Sequence, residues 1–279
     1  MSERADAHIH LFEGGYRASL AARPGVQLDE AALYDSLATE HGVRCALVVG
    51  YAGQTWCVDN NTWIAAQARQ YAWARPLAYV DLDQPLAVGQ LEAWQGQGFV
   101  GIVLYLFEQA HREALSRIPA EVWAWLVEHR WLVSANSRGE LWSDWREVLD
   151  QQGELRLLVS HLGLPPRVAA PPTPAEAVQA LAPVLALAEY PGPRVKLSGF
   201  YALTEPGYDY PHRAAWPYVE ALRAAYGAGR LLWASDFSPC LDDLTFPQTY
   251  SLFAHMPFLS AAERCQIEGA NLLALLGEE

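Results

Sequence analysis

Apolar residues fall into short runs that alternate with longer amphipathic segments. Eight β-rich runs stand out, at Ala5–Leu11, Arg44–Gly50, Arg75–Asp81, Phe99–Leu104, Trp131–Ala135, Leu155–Ser160, Arg194–Ser198 and Arg230–Ala234. Helical patterns lie between and after them, at Leu28–Glu40, Asp59–Tyr71, Pro85–Gln95, Ala120–Glu128, Glu140–Gln151, Pro174–Glu189, His212–Tyr226 and Phe246–Ala254. A last helix near Ser260–Leu276 opens with the cap-like "SAAE". Strands that alternate with helices pair in parallel through right-handed crossovers. Eight of each in 279 residues close most economically as a (β/α)8 TIM barrel, one α/β domain over residues 1–279. The alternative is a doubly wound open sheet. It would carry a glycine-rich phosphate turn after its first strand, and "LFEGGY" lacks the GxGxxG spacing.

Connection lengths then distinguish two rims. Helix-to-strand links are short ("HGV", "QGQG", "EHR", "QGE", "YGAG"), whereas strand-to-helix links are long ("YAGQTWCVDN", "YLFEQAHREALSRIP", "HLGLPPRVAAPPT", "GFYALTEPGYDYP", "DFSPCLDDLT"). Stability does not explain long loops on one rim only. In barrels the rim at the strand C-terminal ends holds the active site. The Pro-rich "GLPPRVAAPPTP" reads as a rigid loop over that rim rather than a linker.

Composition narrows the partners. At 52% hydrophobic and 18% charged residues the chain is globular. A net charge of -13 disfavours nucleic acid and anionic membrane. The four cysteines, Cys45, Cys57, Cys240 and Cys265, form no CxxC pair and read as reduced thiols of a cytoplasmic protein. No signal peptide pattern opens the chain, and no apolar run reaches the roughly 18 residues of a spanning helix. The expected partner is a small-molecule substrate; monomer and homodimer both remain open.

Candidate chemistry collects at the predicted strand ends. In "ADAHIHLFEGGY" His8 and His10 lean to one side of the first strand, about 7 Å apart by strand geometry. That suits two imidazoles on one metal ion or one substrate, or simply two buried, hydrogen-bonded histidines. Strand five ends in Ser134 and Asn136, strand six in Ser160 and His161, strand seven in Lys196 and Ser198, and strand eight in Ser235 and Asp236. Three histidines and one aspartate therefore converge from three strands. His41 and His129 read as surface residues, His255 has no assigned role, and His111 and His212 lie in rim loops as candidate substrate contacts. Lys196, the sole lysine, suits a carboxylate, as do Arg138, Arg167 and Arg213; the alternative for Lys196 is an interior lysine paired with an acid. Asn136 and Tyr201 join them as expected substrate contacts. Asp236 reads as a base or as a helix cap. Trp56, Trp142 and Trp145 read as stacking platforms or as ordinary packing. No GxSxG elbow is present, which disfavours a Ser-His-Asp hydrolase.

"DAHIHLF", "SHLGLP", "VKLSGFY", "LLWASDFSP" and the closing "IEGANLLALLG" resemble, in this order, the amidohydrolase-related family (the amidohydrolase 2 group). The resemblance covers essentially the whole chain and implies a distorted (β/α)8 barrel. "VKLSG" and the strand-six motif are most similar to the lactonases of sugar acids and of pyrone dicarboxylate. The branch of aminocarboxymuconate semialdehyde decarboxylase is the neighbouring alternative. The resemblance maps metal or substrate positions onto His8, His10 and His161, and the catalytic aspartate onto Asp236.

The departures matter too. Two-metal relatives use a lysine on strand four and a histidine on strand five. Here strand four is "GIVLYLF", and strand five offers Ser134 and Asn136. An arginine often found on strand four is also missing, with Val103 or Tyr105 in its place. At most one divalent ion is therefore expected, zinc by ligand type, on His8, His10, His161 and Asp236; some lactonases of this kind use none. The expected activity is hydrolysis of a lactone or similar ester of a small carboxylated or sugar-acid substrate, with water activated by Asp236 beside His161. A barrel that only binds a ligand is the non-enzymatic alternative.

Overall fold

The computed structural model describes residues 3–16 and 28–278. Eight strands form one sheet in chain order: β1 (Arg4–Ile9), β2 (Val43–Val49), β3 (Ala74–Tyr79), β4 (Gly101–Leu106), β5 (Leu132–Ser137), β6 (Arg156–Val159), β7 (Arg194–Leu197) and β8 (Leu231–Trp233). Every neighbouring pair in that order is parallel. The sheet closes where β1 meets the chain just after β8. There the Asp236 amide donates to His8 O at 2.9 Å, the His10 amide donates to Phe237 O, and Ile9 bridges Phe237 in parallel. This is the (β/α)8 barrel that the alternation predicts, with one irregular seam.

A buried carboxylate holds the seam. Asp6 Oδ1 accepts from the Ser235 amide at 2.9 Å and the His8 amide at 3.2 Å, while Oδ2 accepts from the Tyr34 hydroxyl at 3.0 Å. Side chains alternate along each strand, so two apolar layers result. Ala5, Ala7, Leu47, Leu77, Val103 and Leu158 fill the barrel interior. The other faces pack against the helices. Leu272, Leu273 and Leu275 of the last helix join the interior cluster and plug one end. Three contacts pin that helix: Arg75 Nε to Glu278 at 2.7 Å, Arg156 Nη1 to Leu275 O at 2.9 Å, and Asn271 Nδ2 to Leu231 O at 2.8 Å. With the strand N-terminal end plugged, access is left to the opposite rim.

Most predicted helices occur, with ends reset by local chemistry. The first runs Glu30–His41, with Asp29 capping the Ala32 amide at 3.0 Å and left-handed Gly42 ending it. The pattern at His212–Tyr226 becomes a 3-10 turn at Arg213–Ala215 and a helix at Trp216–Tyr226, because Pro217 suits only a first turn. The Phe246–Ala254 pattern yields only Gln248–Ser251 and a 3-10 turn at Leu252–His255. The "SAAE" cap is present: Ser260 and Glu263 form a capping box before Ala261–Cys265. Two rim connections hold structure that their polarity concealed. One contains an antiparallel pair, Ala52–Gln54 with Cys57–Asp59; the other contains a helix, Gln109–Arg117, which buries only Ala114 and Leu115. Among the described residues no helix is long and apolar enough to cross a membrane.

Candidate active site

The open rim holds a cavity of about 440 Å³, with His10, His161, Asp236, Asn136 and Tyr201 among its lining residues. His8 and His10 project from the end of β1 with their Nε2 atoms 3.1 Å apart. His10 Nδ1 lies 3.1 Å from Val49 O. A carbonyl only accepts, so Nδ1 carries the proton and Nε2 keeps its lone pair. His8 is fully buried, and its Nδ1 faces Lys196 Nζ at 3.3 Å. The Lys196 ammonium also donates to Ser134 Oγ at 2.7 Å.

His161 follows β6, and Asp236 follows β8. Both backbones are left-handed, with φ of 51° and 60°. Residues other than glycine hold that conformation at a cost of about 1–3 kcal/mol, and such strain clusters at functional sites. His161 Nδ1 lies 2.9 Å from Ser198 Oγ. Gly199 makes room for that ring, since a Cβ there would come within 2.9 Å of His161 Nδ1. Asp236 Oδ2 accepts a 2.6 Å hydrogen bond from the Tyr201 hydroxyl.

Burial sets the charges. It pushes His10 down to about 4, His161 to about 3 and His8 well below its ordinary value, with Lys196 adding to the shift on each. Lys196 itself falls to about 7 through burial, opposed by Asp236 and Asp6. The Asp236 carboxyl is raised by burial, against His10, Tyr201 and Lys196. His8 Nε2 and His161 Nδ1 stand 3.8 and 3.9 Å from Asp236. With both rings neutral, these approaches are dipolar rather than ionic.

The donor set suits a metal. One atom each from His8, His161 and Asp236 lies within 4.8 Å of the others, and all three residues are buried. His10 Nε2 adds a nitrogen 3.1 Å from His8 Nε2. Three such ligands, as His8, His161 and Asp236 supply, match a zinc site that keeps its fourth position open. β4 carries no lysine that could bridge a second ion.

The expected substrate contacts separate. Asn136 and Tyr201 line the cavity, and Asn136 Oδ1 has no hydrogen-bond partner among the described residues. Lys196 lies beneath the cavity, fully buried against Ser134 and His8. Arg138 is exposed and stands 6.0 Å from the Phe107 ring. Arg213 sits 5.2 Å from the Trp216 ring, and Arg167 pairs with Glu205 at 2.8 Å. None of these cations is among the residues that line the cavity. His111 lines it, whereas His212 is buried against Thr204 Oγ1 at 2.8 Å. Trp142 and Trp145 are packed in the core, and Trp56 lies edge-on to Phe12 at 5.0 Å.

Pattern reading passed over the aromatic wall of Phe12, Tyr51, Tyr79 and Phe107, and the rim acids Asp81 and Asp83. Tyr79 ends β3, just as the histidines end other strands, and that position was the available signal.

A sequence model of the amidohydrolase family matches residues 5–277. The chain belongs to that family. Among solved structures, an amidohydrolase of Burkholderia multivorans with bound zinc is similar at 20% identity and TM-score 0.78, over 99% of each chain. A probable 2-pyrone-4,6-dicarboxylic acid hydrolase of Acinetobacter baumannii with citric acid bound shares 18% identity over 99% of this chain and 100% of its own, at TM-score 0.70. A 2,6-dihydroxybenzoate decarboxylase of Rhizobium shares 13% over 99% of each chain, at TM-score 0.63. No curated protein sequence matches the chain. At these identities the neighbours show the fold of this amidohydrolase; its chemistry is argued from its own residues.

Proposed function

We propose that this amidohydrolase hydrolyses a lactone or a similarly activated ester, with Asp236 as general base toward water. The observation that carries this reading is the Asp236 carboxylate at the cavity wall, one oxygen fixed by Tyr201 at 2.6 Å, beside His8, His10 and His161. The raised Asp236 pKa makes its carboxylate a stronger base than an exposed one, closer to the working pH. The base takes a proton from water and returns it to the leaving oxygen. Tyr201 aims the base, and Ser198 with Gly199 sets the tilt of the His161 ring at the cavity wall. Asn136 Oδ1 is placed to accept from a substrate hydroxyl. His8, His10, His161 and Asp236 would hold one divalent ion, zinc by donor type. Such an ion polarises a carbonyl oxygen and lowers the pKa of bound water to about 7. The named activity of the Acinetobacter neighbour and the zinc of the Burkholderia neighbour support the reading.

The test is elemental analysis of protein purified without chelator, followed by a panel of lactones and 2,6-dihydroxybenzoate. The expected result is no more than one ion per chain, and ring opening of at least one lactone. Two tightly bound equivalents would overturn the ligand set, and carbon dioxide release without lactone turnover would replace hydrolase by decarboxylase.

Gly199→Ala tests the placement of His161. The added methyl must displace the ring, and an error near 1 Å can cost about 10²-fold in rate. Turnover is expected to fall by about that factor. Retention of wild-type turnover would show that the position of His161 is unimportant.

A further inference from the structure

The cavity wall also says which lactone. Phe12, Tyr51, Tyr105 and Phe107 form a connected aromatic wall, with successive ring centroids 5.8, 5.7 and 6.4 Å apart and the first two contacts edge-to-face. Tyr79 adds a ring 6.1 Å from Tyr105. The charged residues that line the cavity are acids: Asp236 inside, and the exposed Asp81 and Asp83, joined by a 3.0 Å bond from the Asp83 amide to Asp81. No lysine or arginine is among the described lining residues; Arg17 and Arg23 lie outside the described residues. His111 brings no fixed cation either. Its Nδ1 accepts from the Phe107 and Glu108 amides at 3.1 and 3.3 Å, so that nitrogen is held without a proton.

We propose that this cavity takes an uncharged ring lactone, stacked on the tyrosine and phenylalanine wall, and discriminates against carboxylated rings. A carboxylate moved from water into such a cleft loses hydration and, along the aromatic wall, meets no lysine or arginine among the described lining residues. It also approaches the rim acids Asp81 and Asp83, and like-charge juxtaposition suppresses binding. An uncharged ring loses little on desolvation and gains aromatic contact. Asn136 Oδ1 then accepts from a hydroxyl substituent on the ring. Of the two substrate classes that the sequence suggests, carboxylated and sugar-acid, the proposal departs from the carboxylated one, because Lys196, Arg138, Arg167 and Arg213 are not among the residues that line the cavity. It rests on the lactonase reading for the reaction, but not for the binding preference.

The experiment separates the two. Calorimetry at pH 7 on the protein as purified compares chroman, an unreactive cyclic ether, with chroman carrying a carboxylate on its aromatic ring. Dihydrocoumarin, the matching lactone, reports turnover. Chroman is expected to bind at least about tenfold tighter than its carboxylate, a gap of about 1.4 kcal/mol. The D81N/D83N double variant should narrow that ratio several-fold; an unchanged ratio would overturn the role given to the two rim acids. Equal or tighter binding of the carboxylate, or no binding of either ring, would overturn the proposal. A chroman preference without hydrolysis of dihydrocoumarin or of any lactone in the panel would uphold it and overturn the lactonase reading alone.

Discussion

Asp236→Asn is expected to remove most lactone hydrolysis, by about 10²–10⁴-fold, while the protein still folds. That range is what loss of a positioned general base typically costs. The amide is nearly isosteric, and its oxygen can still accept from the Tyr201 hydroxyl that now lies 2.6 Å from the carboxylate. It cannot take a proton from water at neutral pH. If Asp236 also ligates an ion, the loss exceeds this range, because the polarising charge goes as well. Stability is the natural confounder. Asp236 faces three neutral imidazoles and the Tyr201 hydroxyl, and its charge also supports the buried ammonium of Lys196. Removing that charge pushes the Lys196 pKa down further, so the lysine can release its proton rather than unfold the chain. Turnover and thermal melting on the same sample decide the matter. A variant that melts normally and retains more than about a tenth of wild-type turnover would falsify the assignment of the base. The wild-type pH profile gives a second check. Activity should rise with pH through an apparent pKa above that of an ordinary aspartate, because burial raises the Asp236 carboxyl.

Metal-free protein is expected to lose on the order of 4 kcal/mol of stability between pH 7 and pH 5. His8, His10 and His161 stay neutral in the fold, with His10 near 4 and His161 near 3. In the unfolded chain each titrates near 6.5. Their stabilising contribution is therefore complete above about pH 6.5, and it is lost as pH falls and the unfolded chain takes up three protons. Asp6 acts in the opposite direction. Its carboxyl is pushed up to about 6 by burial, so it favours the fold as pH falls from about 6 toward 4. One such group offsets roughly a quarter of the loss from three histidines. Zinc deepens the dependence, because protons and metal compete for the same nitrogens. Urea unfolding at several pH values, with chelator and then with zinc, measures this. A flat profile without metal would mean that the imidazoles are not buried neutral.

How much of this was legible in advance depends on whether a feature is local or assembled. The eight strands were readable because burial inside a barrel demands short apolar runs, as in Val43–Val49 and Gly101–Leu106. His8 and His10 were readable because the two-residue repeat of a strand puts both on one side. His161 and Asp236 required the barrel topology before they could be brought together, and the motif order supplied it. The same holds for Arg138 and Arg213, which are not among the residues that line the cavity. A loop residue's position along the chain says that it is near a rim, but not which way its guanidinium turns.

Periodicity and strand order, which are local and repetitive signals, were enough to indicate the barrel and the convergence of His8, His10, His161 and Asp236 on one rim. The remainder came from the closed fold. It sank Lys196 beneath the site as a fully buried partner of Ser134 and His8. It made Asp6 the clasp of the β1 seam, and it joined rings from four separate segments into one cavity wall. Those outcomes depend on contacts between residues as far apart as 229 positions, such as Asp6 with Ser235. Side-chain direction and desolvation at such contacts are set by the closed barrel as a whole, and no short stretch of chain encodes them.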